Sequence, residues 1–508
     1  SIYTKHQTVM KKSILILFSS FCFLNSFGQE SPEIDSLFRN SYTVFELQRL
    51  PNGMYRDATL FSGSDYHPIS IANTGMGLIA LCIADAMGWI NNGSELALNT
   101  IKTATGHTSG FLPDRTSNGY YRHFMDINTG EQAWNSEYST IDSAILVSGA
   151  LFSMNYFQHD SISHYTTELW NSINFNDAID NSSTGQIYLS MDSDGNGINN
   201  SLTRPYNEYM IVAWLAKNYS SESNNLGTIL WNNHYSSPSL LPSISYQGRS
   251  VLSDNNNSFL SSFTHQFNYF LCNYFTTSTE YLTYFKNSQE ADRSWWQNMD
   301  YNLFEWGLGA GSAITSSYHA DAINNNEDLI VSPQIIAGYI PVNPESKSNL
   351  IDLWNSNLGK FNLPNVNNDP ILWRYSKSNT TWIPNEIIGI DYSSMLFGLS
   401  TLTEYLGIDF FSTYNDFFTS SALSIDQLES TFEIKVYPNP TSDHLYIELG
   451  KFCKNISISI LNSLGQPVLR NTYDNLEKIN IPLKLHKGLY LLTIDYSEGI
   501  ETSKVIIR

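Results

Sequence analysis

Between about residue 30 and residue 418 the strong apolar segments are long and helically spaced, and clean alternation of apolar and polar positions is rare. Segments 72–89, 139–157, 205–216, 263–285, 332–339 and 392–406 carry the clearest apolar stripes and predict helices. Several are apolar nearly all the way round, a pattern suited to helices buried on every side. The connections between them are long and rich in Asn, Ser, Gly and Tyr. Inner helices sheathed by outer ones, with a pocket at one rim, fit this pattern. The predicted fold of residues 30–418 is therefore an all-α (α/α)6 toroid.

The texture changes at both ends. From about residue 432 short alternating runs such as 444–449 and 456–461 are separated by turn signals, which predicts a small all-β sandwich over residues 432–508. Residues 419–431 are polar and weakly patterned, and read as a linker. Near the other end, Met10-Lys11-Lys12, an apolar run over 13–24 and Ser26-Phe27-Gly28 have the three parts of a signal peptide, so residues 1–28 read as an upstream extension plus an export signal. The apolar run is too short to span a bilayer as a helix. Phe21 precedes Cys22 where a lipoprotein signal needs a small residue, so no lipid anchor is expected.

Length and composition narrow the chemistry. A chain of 508 residues exceeds one ordinary core, in keeping with a large domain and a smaller one. Its net charge of −21 would repel a phosphate backbone, and no basic stripe offsets it, which excludes nucleic acid as a partner. Aromatic residues make up 14%, more than packing alone recruits, and suit a carbohydrate whose apolar ring faces lie flat on aromatic rings. Cys82, Cys272 and Cys453 stand singly in apolar surroundings and read as buried thiols. No transmembrane segment is expected in the mature protein, and a monomer is.

In the tail, Tyr437-Pro-Asn-Pro-Thr441, Asn462-Ser-Leu-Gly-Gln466, Lys487-Gly-Leu-Tyr490 and the terminal Lys504-Val-Ile-Ile-Arg508 follow one another in order. Together they resemble the C-terminal sorting domain of the type IX secretion system of Bacteroidetes. That resemblance implies export across the inner and outer membranes, with the secretion machinery as a partner and release or surface attachment as the outcome. A carbohydrate-binding β-sandwich is the other reading.

The central domain carries its own ordered series. Ser70-Ile-Ala-Asn-Thr-Gly-Met-Gly comes first, then His123-Phe-Met-Asp126 and Ala133-Trp-Asn-Ser-Glu-Tyr-Ser-Thr-Ile-Asp142. Tyr206-Asn-Glu-Tyr-Met210, Thr264-His-Gln266, Trp306-Gly-Leu308 and Ile388-Gly-Ile-Asp391 follow. The set resembles the bacterial glycoamylase-like domain family, whose best understood members look like inverting endo-β-1,2-glucanases. This chain departs from the family at Leu271-Cys-Asn-Tyr274, where an Asp-Phe-Arg-Gly stretch is usual, and after Leu308, where an acidic Asp-Gly-Pro turn is missing.

Inverting hydrolysis needs a protonated carboxyl for the leaving oxygen and a carboxylate that activates water on the opposite face. Glu208, Asp142 and Asp391 stand at family motifs, with Glu137 close by, and the resemblance implies Glu208 as acid, Asp142 or Asp391 as base and Glu137 as a charge-tuning neighbour. Each also has a structural reading. Asp142 lies at capping-box spacing from Ser139, Glu208 follows Pro205 at an expected helix start, and Asp391 could cap a helix. Trp134, Tyr206 and Trp306 are candidate sugar platforms. His123 and His265 are candidates for bonding sugar hydroxyls, or are structural. Asp192-Ser-Asp194-Gly-Asn196-Gly197 has the opening half of a calcium loop, but Thr203 stands where the closing bidentate Glu belongs. No cofactor is required, with a structural calcium as the one candidate. The expected activity is that of a secreted endo-β-glucanase; the alternatives are a glycan-binding protein without turnover and a hydrolase of another linkage.

Overall fold

The computed structural model describes residues 31–219, 224–418, 434–453, 456–462, 466–496 and 499–508. The predicted export signal and linker lie outside these residues. The chain divides into two compact units, residues 1–422 and 423–508.

The first unit is helical. Its helices are α1 (Pro32–Gln48), α2 (Ile71–Ala86), α3 (Gly93–Ala104), α4 (Thr140–Phe157), α5 (Asp160–Asn171), α6 (Met210–Asn218), α7 (Leu226–Leu230), α8 (Ser262–Leu271), α9 (Asn273–Thr277), α10 (Thr279–Gln297), α11 (Pro333–Gly338), α12 (Ser346–Ser356), α13 (Gly389–Ser400) and α14 (Asp409–Tyr414). Helix α2 packs on α4, α4 on α6, α6 on α8, α8 on α11, α11 on α13, and α13 returns to α2. Outside this circuit α3 backs α2, α5 backs α4, α7 backs α6, α10 backs α8, α12 backs α11 and α1 backs α13. Every residue of α2 from Ile71 to Ala84 is buried, as an all-round apolar sequence requires. Helices α2 and α4 meet backbone to backbone: a Cβ on Gly149 would stand 2.1 Å from the Gly75 carbonyl oxygen.

Two helix boundaries differ from the periodicity. The segment expected as one helix over 263–285 is broken at Cys272 and Ser278. There the Asn415 amide donates to the Phe270 carbonyl at 3.0 Å and the Thr276 hydroxyl to the Tyr269 carbonyl, so side chains take the place of helical bonds. The segment expected to start at Pro205 becomes helical only at Met210, because the Asn207 carboxamide accepts from the Tyr209 amide and holds a turn.

Short antiparallel strands line the N-terminal ends of three helices of the circuit. Residues Ile69–Ser70 pair with Phe124–Met125 ahead of α2, Tyr138–Ser139 with Ser190–Met191 ahead of α4, and Ala58–Leu60 with Glu386–Ile388 ahead of α13. This rim holds the acidic side chains. Among the described residues no helix is long and apolar enough to cross a membrane.

The second unit comprises strands β1 (Lys435–Tyr437), β2 (His444–Cys453), β3 (Ile456–Leu461), β4 (Pro467–Tyr473), β5 (Leu476–Pro482), β6 (Gly488–Tyr496) and β7 (Gly499–Ile507), all paired antiparallel in two sheets ordered β1-β2-β5 and β4-β3-β6-β7. Alternate residues Leu445, Ile447, Ile456, Ile458, Ile460, Ile479, Ile481, Leu492 and Ile494 share one core. Cys82, Cys272 and Cys453 are buried, as their apolar settings predict.

Candidate active site

Ser139 caps α4: its hydroxyl accepts from the Asp142 amide at 3.2 Å and donates to the Asp142 carboxylate. The capping geometry read from the sequence is therefore present, and it aims a buried carboxylate into the rim. His123 sits between two carboxylates, with Nδ1 at 3.1 Å from Glu137 and Nε2 at 3.5 Å from Asp142. The His123 amide donates to the Glu137 carbonyl, and the Ile71 amide donates to the His123 carbonyl, so the trio is tied to the starts of α2 and α4. Burial favours a neutral His123 ring, yet the Asp142 and Glu137 charges push it up to about 9, making it an imidazolium at neutral pH. That cation holds Glu137 below the usual carboxylate range. Burial raises Asp142, and the imidazolium opposes the rise.

Glu208 lies in the turn ahead of α6 and keeps part of its surface in contact with solvent. The turn is clamped from both sides, with the Asn268 amide donating to the Asn207 carbonyl at 3.1 Å and the Tyr206 amide to the Ser253 carbonyl at 3.0 Å. Desolvation raises Glu208 most, the Asp254 and Asp142 charges add to the rise, and the Thr264 hydroxyl at the start of α8 opposes it. Glu208, Asp142, His123 and Glu137 thus form one electrostatic group.

Asp391 belongs to a second group. It lies within the first turn of α13, whose N-cap is Ile388, and so is not the cap its sequence position allowed. Its Oδ1 accepts from the Tyr318 hydroxyl at 3.3 Å, while Oδ2 is buried with no partner among the described residues. Burial pushes Asp391 up to about 7; the Asp57 charge adds to this, and the Arg374 guanidinium and Tyr318 hydroxyl oppose it. Arg374 is fully buried, bonds Asp321 at 2.9 Å and donates to the Gly309 carbonyl at 2.9 Å.

Asp57, which the sequence analysis missed, connects the two groups. Its carbonyl accepts from the Gly389 amide at 2.8 Å at the start of α13. Burial pushes its carboxyl up to about 6, His123 and His67 pull it down, and the Glu386 and Asp142 charges raise it. His67 Nε2 lies 3.1 Å from Glu386, a pair 319 positions apart that no local pattern announces.

The aromatic candidates divide sharply. Trp134 is 51% exposed, and its ring meets His67 and Phe124 edge-on at 5.7 and 5.1 Å, which places an open ring face at the rim. Trp306 is fully buried and donates to Asn349 at 2.9 Å; it is core, not a platform. Tyr206 and His265 are buried against each other, with the Tyr206 hydroxyl 3.0 Å from His265 Nδ1, and they support the Glu208 turn instead of meeting sugar. Burial pushes His265 down to about 3, so its ring is neutral. His123 has both ring nitrogens facing carboxylates, and its contacts are those of a charge partner. Tyr318, which no motif marks, is 46% exposed at the rim.

In the 192–197 turn one oxygen of Asp192 accepts from the amides of Asp194 and Asn196 at 2.9 and 2.8 Å. The Asn196 side chain also turns inward onto Asp192. The turn closes on its own donors, and among the described residues no group of three His, Cys, Asp or Glu side chains is arranged to hold a metal ion. An open cleft of about 360 Å³ lined by Asn52, Arg56, Ser109, Phe111 and Asn128 contains none of these carboxylates.

Comparison with known proteins assigns the tail and the fold. Residues 435–508 match the family described as secretion system C-terminal sorting domain. No curated protein matches the chain. Among solved structures, an endo-β-1,2-glucanase from Chitinophaga pinensis, in complex with sophorotriose and glucose, is 17% identical with a TM-score of 0.63, covering 78% of this chain and 97% of its own. A protein of Bacteroides uniformis provisionally assigned as a glucoamylase is 16% identical with a TM-score of 0.62, over 76% of this chain and 95% of its own. A β-1,2-glucanase from Parabacteroides distasonis is 14% identical with a TM-score of 0.61, over 77% of this chain and 59% of its own. The chain therefore ends in a secretion system C-terminal sorting domain, which marks it for export to the medium or the cell surface, and its helical unit has the fold shared by these glucanases and the glucoamylase-like protein.

Proposed function

We propose that the protein is a secreted glycoside hydrolase that cleaves a β-glucan, with β-1,2 linkages favoured, by inversion on an (α/α)6 toroid. The observation that carries this reading is Glu208, a carboxyl raised by burial and by the neighbouring Asp254 and Asp142 charges while part of it reaches solvent. Such a group retains its proton towards neutral pH and serves as general acid. Asp142, a buried carboxyl whose rise the facing His123 imidazolium opposes, serves as the base that takes a proton from water. Glu137 holds His123 in its charged form. Asp391 is the second reading for the base, favoured by its buried, unpartnered Oδ2. The fold likeness to endo-β-1,2-glucanases supports both the reaction class and the linkage.

A glycan-binding protein without turnover is the rival. Against it, the departure at Leu271–Tyr274 lies at the C-terminal end of α8, whereas Thr264 at the other end faces Glu208. Seven residues of helix, about 10 Å, separate the two. Incubation of the purified protein with a panel of defined glucans tests the proposal, with products read by chromatography and their anomeric configuration by polarimetry. Short oligosaccharides from β-1,2-glucan with inverted configuration are expected; binding without products on every glucan favours the rival, and products from an α-glucan alone refute the linkage.

A further inference from the structure

Tyr318 lies in a loop that the motif series does not cover. The Asp328 carboxylate pins this loop by accepting from the Ile314 and Thr315 amides at 2.9 and 3.0 Å, and Ala310–Gly311 pairs with His319–Ala320 just past Tyr318. The loop therefore presents Tyr318 from a fixed base. Its hydroxyl reaches the buried Oδ1 of Asp391, yet nearly half of the residue stays exposed. A ring anchored at its polar tip and open on its face is suited to packing against a sugar.

The other oxygen of Asp391 completes the picture. Oδ2 is buried without a partner among the described residues, and an unmade bond to a buried acceptor is costly, more so for a charged group. Such a cost is kept where the acceptor has a task. The charged and titratable groups facing Asp391 are Arg374, which is already committed to Asp321, then Asp57 and Tyr318. An O–H donor, from a sugar hydroxyl or from water, is the chemistry that fits.

We propose that Tyr318 is a positioning residue: its hydroxyl fixes Asp391 through Oδ1 so that Oδ2 meets an incoming O–H donor, and its exposed ring is the wall on which the sugar packs. This rests on the reading that a glycan occupies the rim. The hydroxyl stabilises the ionised form of Asp391, so its removal raises the pH at which Asp391 titrates.

The test uses the full chain and two variants, Tyr318→Phe and Tyr318→Ala. Titration of 13C-labelled aspartate carboxyls by NMR, with the Asp391 signal assigned by its loss in Asp391→Asn, requires no turnover. Tyr318→Phe is expected to raise the Asp391 midpoint by roughly 0.4–1 pH unit, the equivalent of one hydrogen bond. An unchanged midpoint overturns the positioning role. On β-1,2-glucan, Tyr318→Phe keeps KM near that of the wild type, while Tyr318→Ala raises KM by about fivefold. Wild-type KM in Tyr318→Ala overturns the wall. A wild-type protein silent on every glucan refutes the hydrolase reading instead, and the NMR midpoint still decides the Tyr318–Asp391 link.

Discussion

Replacing Asp391 with Asn should change stability in a pH-dependent way that no loss of packing imitates. Burial pushes Asp391 to about 7 in the folded protein against an ordinary value of 3.8. Because the folded state binds this proton more tightly than the unfolded chain, the stability it contributes is present below pH 4 and lost as pH rises through 7. Each unit is worth about 1.4 kcal/mol, so between pH 5 and pH 8 the Asp391 contribution falls by roughly 2–3 kcal/mol. Asn does not titrate. It keeps the acceptor for Tyr318 but buries an amide donor where Oδ2 stood, a pH-independent cost of about 1–3 kcal/mol. Asp391→Asn is therefore expected to gain roughly 2–3 kcal/mol on the wild type between pH 5 and pH 8, whatever its offset at pH 5. Urea unfolding at both pH values followed by Trp fluorescence measures this, because all 11 Trp lie in the helical unit. A difference constant within about 0.5 kcal/mol across this range would falsify the buried, proton-holding Asp391.

Three further outcomes follow from the same geometry. His123→Gln removes the cation facing Asp142, so ionisation of the base becomes harder and the acidic limb of the kcat/KM profile moves up by about one pH unit; an unmoved limb separates His123 from the base. Trp134→Ala removes an exposed ring and is expected to raise KM by about 2- to 10-fold with melting temperature unchanged, and a wild-type KM excludes the ring from the sugar path. Because the 192–197 turn closes on its own amides, EDTA treatment is expected to leave melting temperature and activity unchanged; a loss restored by calcium would make the turn a metal site.

Helix identity and the two β sheets were legible because burial follows period: α2 and α4 are apolar all round and β3 alternates strictly. The break at Cys272 was not legible, since the Asn415 amide that ends α8 arrives from 145 positions away. The same limit applied at the site. Glu208, Asp142 and Glu137 stood at recognisable motifs, and Ser139 at capping-box spacing gave a local reason for the placement of Asp142. Asp57, His67 and Tyr318 work only through partners far along the chain, so neither spacing nor composition marks them. Aromatic content suggested rings for sugar but could not separate exposed Trp134 from buried Trp306, because both are large apolar residues in irregular segments.

Comparing the wild type with Glu208→Gln on β-1,2-glucan tests the central claim most directly. Gln keeps the shape of the side chain but carries no proton to give, so turnover is expected to fall by about 10²–10⁴-fold while glucan binding and the unfolding transition are retained. Turnover in Glu208→Gln close to that of the wild type would contradict the assignment of Glu208 as the acid.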